Sequence, residues 1–404
     1  MNTITVIFRK GLAGYIQTVL KKSASSFFHQ CEMWFPVSLL ILLCQCNAVE
    51  QSASDFIPDF VVTDSLIIDY IGQLNLVNSK DDRSEYLLFD PQRKEFVRVN
   101  EEGNILQRKN LEEDSKDQFE PSYVSIDYLA NGQLLFVGMN HFYWYDSELN
   151  LLDKKEIPFN IKSVYFSPGH ANLVHGHNIF THAVNKDLDD DTREKEDFLA
   201  NFPFLTVYDF AEEKIISQDF IPKSAQMIKA PGKYMDSAPF SVLLNQDLYL
   251  LFQNSPEIYR FSFPKLNLIE TIPLAPDNSF YAQIKPVPVK NYQSMSSYGM
   301  LTENSAFFGI GITNGLLLAG YHGALPTDVV EIYNSASDQE KKQIRETYKI
   351  PYYQVVKEGE KVWEGHLDIQ FQFQNGRIYA DRNVNLPRAE LELDYVPFYF
   401  YEIR

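Results

Sequence analysis

The residues with the clearest chemical potential in this chain are its histidines. Four of the eight crowd into one stretch as His170, His175, His177 and His182. On a strand, side chains two positions apart leave the same face, so His175 and His177 would point together, and two imidazoles at that spacing can share a metal ion. Two ligands do not close a site, however, and no carboxylate stands beside them at a diagnostic offset. The bland alternative is a set of solvent-facing or core histidines. A second constellation is less local. His141 follows Met139-Asn140, and His322 follows Gly320-Tyr321, each at the end of an apolar run. If the fold carries both ends to one mouth, His141, Tyr321 and His322 are ligand-binding candidates; if not, they are turn residues well apart.

Other chemistries find less support. Asp187-Leu188-Asp189-Asp190-Asp191 supplies carboxylates at positions 1, 3 and 5 of a calcium loop, but Thr192 takes the glycine position and Phe198 the bidentate glutamate position. A solvated acidic insert is the better reading. There is no G-x-S-x-G, P-loop or dinucleotide fingerprint. The three cysteines, Cys31, Cys44 and Cys46, all lie in the first 46 residues, so no thiol nucleophile, disulfide framework or cysteine metal site is available beyond them. Paired carboxylates for glycoside cleavage are positioned by a fold and not by sequence spacing. The aromatic residues suit a packed core better than a sugar-stacking platform. No cofactor is expected.

Composition narrows the class. With 404 residues, 45% of them hydrophobic, and 30 Phe plus 24 Tyr, the chain can build a large core from pleated, half-buried strands. Its formal charge is −18; without residues 1–45 there remain 32 basic and 53 acidic groups, or −21. Such a field repels phosphate backbones, and nucleic acid is not an expected partner. Met33 to Cys44 is an apolar run of 12 residues behind Lys21-Lys22. It suits a signal segment and falls short of the ~20 residues that span a bilayer. Leu43-Cys44-Gln45-Cys46 resembles a bacterial lipobox with Cys46 as the acylated residue, although Gln45 stands where Gly, Ala or Ser is preferred; a cut after Ala48 would instead release a soluble product. The reading is a leader over residues 1–45, a tether over 46–55 and a folded domain over 56–404. The expected location is the cell envelope, through lipid on Cys46, or the exterior as a secreted monomer.

The elements that must position these side chains are strands. Tyr123–Tyr128, a turn at Asn131-Gly132, Gln133–Gly138, His141–Tyr145 and Leu151–Ile157 read as a four-stranded antiparallel meander. Ser241–Leu244, Leu248–Phe252, Glu257–Phe261 and Leu268–Ile272 copy its offsets, and Leu266-Asn267-Leu268 repeats Leu149-Asn150-Leu151. Third-strand anchors recur at Phe96, Leu205 and Tyr353. A sixth unit starts at His366 and ends the chain on a third strand, Phe398–Ile403. An N-terminal strand near Phe60–Thr63 is left over to complete it, which would close a ring and remove both edges. A six-bladed all-β propeller is predicted, with seven blades as the alternative.

Anchor spacing is uneven: Phe96 to Phe142 is 46 residues, Ile258 to Tyr353 is 95. The excess in blade five holds a helical insert near 326–347, opened by the capping box Ser337-Asp338-Gln339-Glu340. Blade three carries an insert over 185–200 and blade six one over 382–396. All three follow a second strand, so all should emerge on one face, where binding loops belong. Gly309-Ile310-Gly311 reads as close packing near the propeller axis.

The lipobox-like leader, the first strand FVVTDSLIIDY, blades such as YWYDSELNLLDKK, the insert SDQEKKQIRETY and the terminus FYFYEIR together resemble Bacteroidota lipoprotein families of unknown function that form six-bladed propellers. The resemblance implies an exported, anchored propeller and carries no catalytic residues. Two functions are expected from different classes: a non-enzymatic propeller that binds a ligand or envelope protein through inserts 185–200, 322–350 and 382–396, or a hydrolase or lyase, metal-dependent through His175 and His177, acting on a glycan or peptide.

Overall fold

A computed structural model describes residues 56–111, 116–119, 123–161, 172–185, 195–234, 237–281, 286–288, 303–381 and 394–404. Cys46, His170 and the acidic run Asp187–Asp191 lie outside these residues, as do 382–393 of the third insert.

Six antiparallel sheets follow one another along the chain. Blade one comprises Asn75–Ser79, Glu85–Asp90, Glu95–Asn100 and Ile105–Asn110, and blade two Tyr123–Tyr128, Leu134–Gly138, His141–Tyr145 and Leu151–Glu156. Blade four spans Pro239–Leu244, Asp247–Phe252, Glu257–Ser262 and Leu268–Pro273, and blade five Ala306–Thr313, Leu316–His322, Pro351–Lys357 and Glu360–His366. Predicted and observed strands of blades two and four agree to within two residues. Blade three departs from the pattern. Its innermost position is shared by two short strands, Phe159–Ile161 and Leu173–His175, which pair with opposite ends of Asn178–Asn185; Leu205–Asp209 and Lys214–Asp219 complete it.

Blade six closes the ring in the predicted way. Gln372–Gln374, Arg377–Ala380 and Val396–Ile403 supply three strands, and Phe60–Ile68 from the other end of the domain pairs along Val396–Ile403 as the fourth. Both terminal strands thereby lose a free edge, and unravelling the last blade requires breaking a ladder that runs from Phe60↔Ile403 to Ile68↔Val396.

The core is annular. One apolar cluster fills each junction between neighbouring blades: Phe96, Phe119, Phe136 and Tyr143 between one and two, Phe142, Ile179 and Tyr208 between two and three, Phe180, Leu250 and Tyr259 between three and four. The others centre on Phe307 and Tyr321, on Tyr353, Phe371 and Tyr401, and on Tyr86, Tyr379 and Phe400. Second strands are sandwiched and almost wholly buried, completely so in Leu134–Gly138, whereas outer strands such as Leu151–Glu156 are largely exposed. At one junction the blades approach closely enough to demand glycine. A Cβ on Gly309 would stand 2.0 Å from the Phe373 ring, and one on Gly311 would stand 2.6 Å from Ile378, which is the close packing near the axis expected from the sequence.

Antiparallel order sets two faces. First-to-second and third-to-fourth turns emerge on one, the turn face; second-to-third loops and blade-to-blade connections emerge on the other, the insert face. The blade-five insert forms two helices, α1 (Thr327–Ser335) and α2 (Asp338–Tyr348). Ser337 caps α2 with the predicted reciprocal box to Glu340. The first of these helices was not separately foreseen.

Candidate functional site on the insert face

Blade five and its insert bring a neutral imidazole, an amine and a carboxyl together at the insert face. His322 ends the second strand and pairs across the sheet with Ala306 and Pro351. Its ring lies 4.6 Å from that of Phe308, and Nδ1 finds no hydrogen-bond partner among the described residues. Burial pushes its pKa down to about 4, the backbone at Ile350 and Lys349 pulling upward and the Lys349 charge pushing further down. His322 is therefore neutral at physiological pH.

Lys349 follows α2, and its Nζ donates to the carbonyls of Glu303 and Asn304. That ties the end of the helical insert to the segment entering the innermost strand of blade five. Burial lowers this amine to about 8, partly offset by Glu303. Glu303 is itself buried, with Oε1 unpartnered among the described residues. A neutral imidazole beside a weakened ammonium and a buried carboxyl can exchange hydrogen bonds with a polar ligand, and the carbonyl contacts of Lys349 give it a structural role as well.

Two concavities involve the inserts, one beside this cluster and one away from it. One, of about 490 Å3, lies between the two insert helices and is lined by Ile332, Ala336, Glu340, Ile344 and Tyr348. Ile332 is 61% exposed and Tyr348 42%. The other, of about 630 Å3, sits between blades three and four; Ala200 from the blade-three insert, Phe220, Ile221, Phe261 and Leu268 form its apolar wall, with Asp219 and Lys223 as charged members. The helix-pair concavity is half polar, with Ser335, Gln343 and Thr347 beside Glu340, whereas the mostly apolar wall of the second suits small-molecule or side-chain recognition.

The histidine readings fare unevenly. Tyr321 is no mouth residue: it is fully buried, packed against Phe280, Phe307 and Tyr352, and its hydroxyl donates to Glu364. Glu364 also accepts from Gln354, Lys361 and the Asp277 amide, so this Tyr321 contact is part of the blade four–five seam. His141 opens the third strand of blade two, half-buried, its ring 5.8 Å from that of Tyr143. Blades two and five face each other across a six-membered ring, so the structure does not place His141 beside His322.

His175 and His177 do not share a strand face either. The strand ends at His175, and Gly176 at φ +62 turns the chain so that His177 lies in the hairpin. His175 meets Phe263 of blade four, and His177 meets Phe210 of its own blade. Among the described residues no three His, Cys, Asp or Glu side chains are arranged to hold a metal ion. A glycine between the two histidines was the available signal for a turn.

A second buried polar centre lies on the axis near the turn face and was missed by sequence reasoning. Asn78 of blade one donates to the Ile126 carbonyl at 2.6 Å and to Asp127 Oδ1 at 3.1 Å, while Asn375 of blade six donates to Asn78 Oδ1 at 2.8 Å. Asp127 Oδ2 has no partner among the described residues. Burial pushes the Asp127 carboxyl up to about 7, with Ser125, Asn375 and Asn78 pulling weakly the other way. No sequence signal marks this group, because its partners come from the two ends of the domain.

No family profile and no curated protein matches this sequence. Solved structures do. A member of the DUF4221 family from Bacteroides vulgatus superposes with a TM-score of 0.55 at 10% identity, over 86% of this chain and 98% of that one. A protein of Bacteroides fragilis, provisionally described as exported, superposes with a TM-score of 0.50 at 11% identity, over 86% of this chain and 95% of that one. At such identity the likeness is one of fold. The chain is a six-bladed β-propeller whose structural neighbours include a DUF4221 protein of Bacteroides, in agreement with the resemblance drawn from its sequence.

Proposed function

We propose that this protein is an exported, lipid-anchored propeller that binds a ligand or an envelope protein through its insert face and catalyses no reaction. The observation that carries the reading is the segregation of added chain. The α1–α2 hairpin and the blade-three insert both leave the same side of the ring, and each contributes wall to a concavity of several hundred Å3. A rigid scaffold with variable loops on one face is the usual arrangement for recognition. Export rests on the leader and Cys46, both outside the described residues. No helix among the described residues is long and apolar enough to cross a membrane, so attachment in this reading runs through the lipid on Cys46.

The hydrolase or lyase alternative has less behind it, since His175 and His177 meet different neighbours. The test is site-specific photo-crosslinking in intact cells, with a benzophenone side chain at Tyr348 on the insert or at Ile216 on the outer strand of blade three. A discrete adduct from position 348 and none from 216 is expected. Equal labelling from both positions, or none from 348, would overturn the choice of face.

A further inference from the structure

The turn face holds a cavity of about 230 Å3 that the insert-face reading does not use. Blade five lends it Thr313, Asn314 and Gly315, blade six lends Arg377, Phe400 and Glu402, and Thr63 and Arg83 reach it from the closing strand and the first turn of blade one. Two guanidinium groups therefore border a small space. Arg377 donates through one terminal nitrogen to Ser79 Oγ and through the other to the carbonyls of Lys80 and Asp81, at 2.9 and 3.1 Å. These bonds clasp the last blade to the first. All three acceptors are neutral, and Arg377 forms no ion pair among the described residues.

Arg83, at φ +63 in its turn, has an acidic neighbour only at 3.9 Å, Asp64, with both side chains 42% exposed. Burial first, and then the charge of Arg83, makes Arg377 less basic, while Tyr86, Asp81 and Asp64 act in the opposite direction. Glu402, the carboxylate on the rim, is engaged by the Asn314 side-chain amide at 3.4 Å.

Local backbone keeps the space open. Val62 pairs with Tyr401 and Asp64 with Phe400, so Thr63 is the extra residue of a bulge and leaves the ladder at the cavity wall. Gly315, at φ +76, would direct a Cβ into space with nothing within 4 Å. Two cations lie close together here, one of them mostly buried, and the nearby carboxylates offset them only in part: Asp64 meets Arg83 at 3.9 Å and Glu402 is engaged by Asn314. The fork of Arg83 matches the paired oxygens of a carboxylate or phosphate, Arg377 adds its charge beside it while its terminal nitrogens hold Ser79, Lys80 and Asp81, and about 230 Å3 has room for a small anion.

We propose that the cavity between Arg83 and Arg377 is a binding site for a small oxyanion, a carboxylate or phosphate group. The proposal is independent of the insert-face reading, and the two fail separately. Its test is calorimetric titration of the purified protein with inorganic phosphate and with succinate at ionic strength fixed by sodium chloride, beside co-sedimentation with phosphatidylglycerol vesicles. Arg83→Gln is the diagnostic variant, because Arg377 also holds the ring together; Lys342→Gln, on the exposed side of α2, is the control. Saturable one-site binding of a free anion, weakened at least tenfold by Arg83→Gln and unchanged by Lys342→Gln, is expected. Vesicle binding lost in Arg83→Gln without free-anion binding would assign the phosphate to a lipid headgroup. No saturable binding to any of the three probes, or equal binding by wild type and Arg83→Gln, would overturn the proposal.

Discussion

Asp127 should make this propeller less stable as the solution becomes neutral. Its carboxyl titrates at about 7 in the fold, against 3.8 for the ordinary group. Between those values the folded state keeps a proton that the unfolded chain releases, so the stability contributed by this group is fully present below pH 3.8 and is lost as pH rises through 7. A shift of about 3 pH units corresponds to ~4 kcal/mol at ~1.4 kcal/mol per unit. His322 works in the opposite sense: its proton, excluded from the fold down to about pH 4, binds the unfolded chain below its ordinary 6.5. Stability from that group therefore rises with pH between 4 and 6.5, and wild type alone hides both trends. Asp127→Asn separates them, because the amide keeps the shape and the Oδ1 acceptor for Asn78 and abolishes the titration. Denaturant unfolding of wild type and variant from pH 4 to 8 should give a difference near zero at pH 4 that grows to ~4 kcal/mol in favour of the variant at pH 8. All other groups cancel in that difference. A difference that stays constant across the range would refute the assignment of a proton to Asp127.

Two further outcomes test the architecture. Removing Phe60–Ile68, and so the outer strand of blade six, should leave a chain that aggregates or melts without a cooperative transition, whereas removal of residues 1–55 alone should preserve one sharp calorimetric transition; equal melting of both truncations would contradict ring closure. Gly309→Ala should cost ~1–3 kcal/mol in urea unfolding, because the new methyl must displace the Phe373 ring, and an unchanged midpoint would show that the blade five–six junction has slack.

The blades were legible because their signals are local. Leu149 and Leu266 show why the Leu-Asn-Leu echo was informative: both adopt positive φ, +59 and +56, inside the third-to-fourth-strand turns, and both are buried. A left-handed leucine is costly, and its burial in the adjoining core offsets that cost, so the motif marks one structural position in two blades. The closing strand was legible by counting, since a chain that stops on a third strand leaves one place unfilled. Where periodicity alone was used, it misled. The alternation through His175 and His177 ignored Gly176, and the innermost strand of blade three is divided in two.

The buried polar groups were illegible for a different reason. Asn375 meets Asn78 across 297 residues, and Arg377 meets Ser79 across 298, so these contacts exist only once the ring has closed. Lys349 reaches Glu303 and Asn304 across a strand pair and two helices, 46 and 45 residues along the chain. A propeller's strands can be read blade by blade, but its axis and its faces are assembled from all blades at once. Asp127 and Arg377 are such assembled groups, whereas His322 and Lys349 are brought together within blade five by its long insert. The environments of Asp127 and Arg377 follow from closure, and the same Phe60–Ile68 strand that completes blade six also brings Thr63 to the arginine cavity. Loss of that strand would therefore remove the anion site along with the blade, while Arg83→Gln would remove the anion site alone.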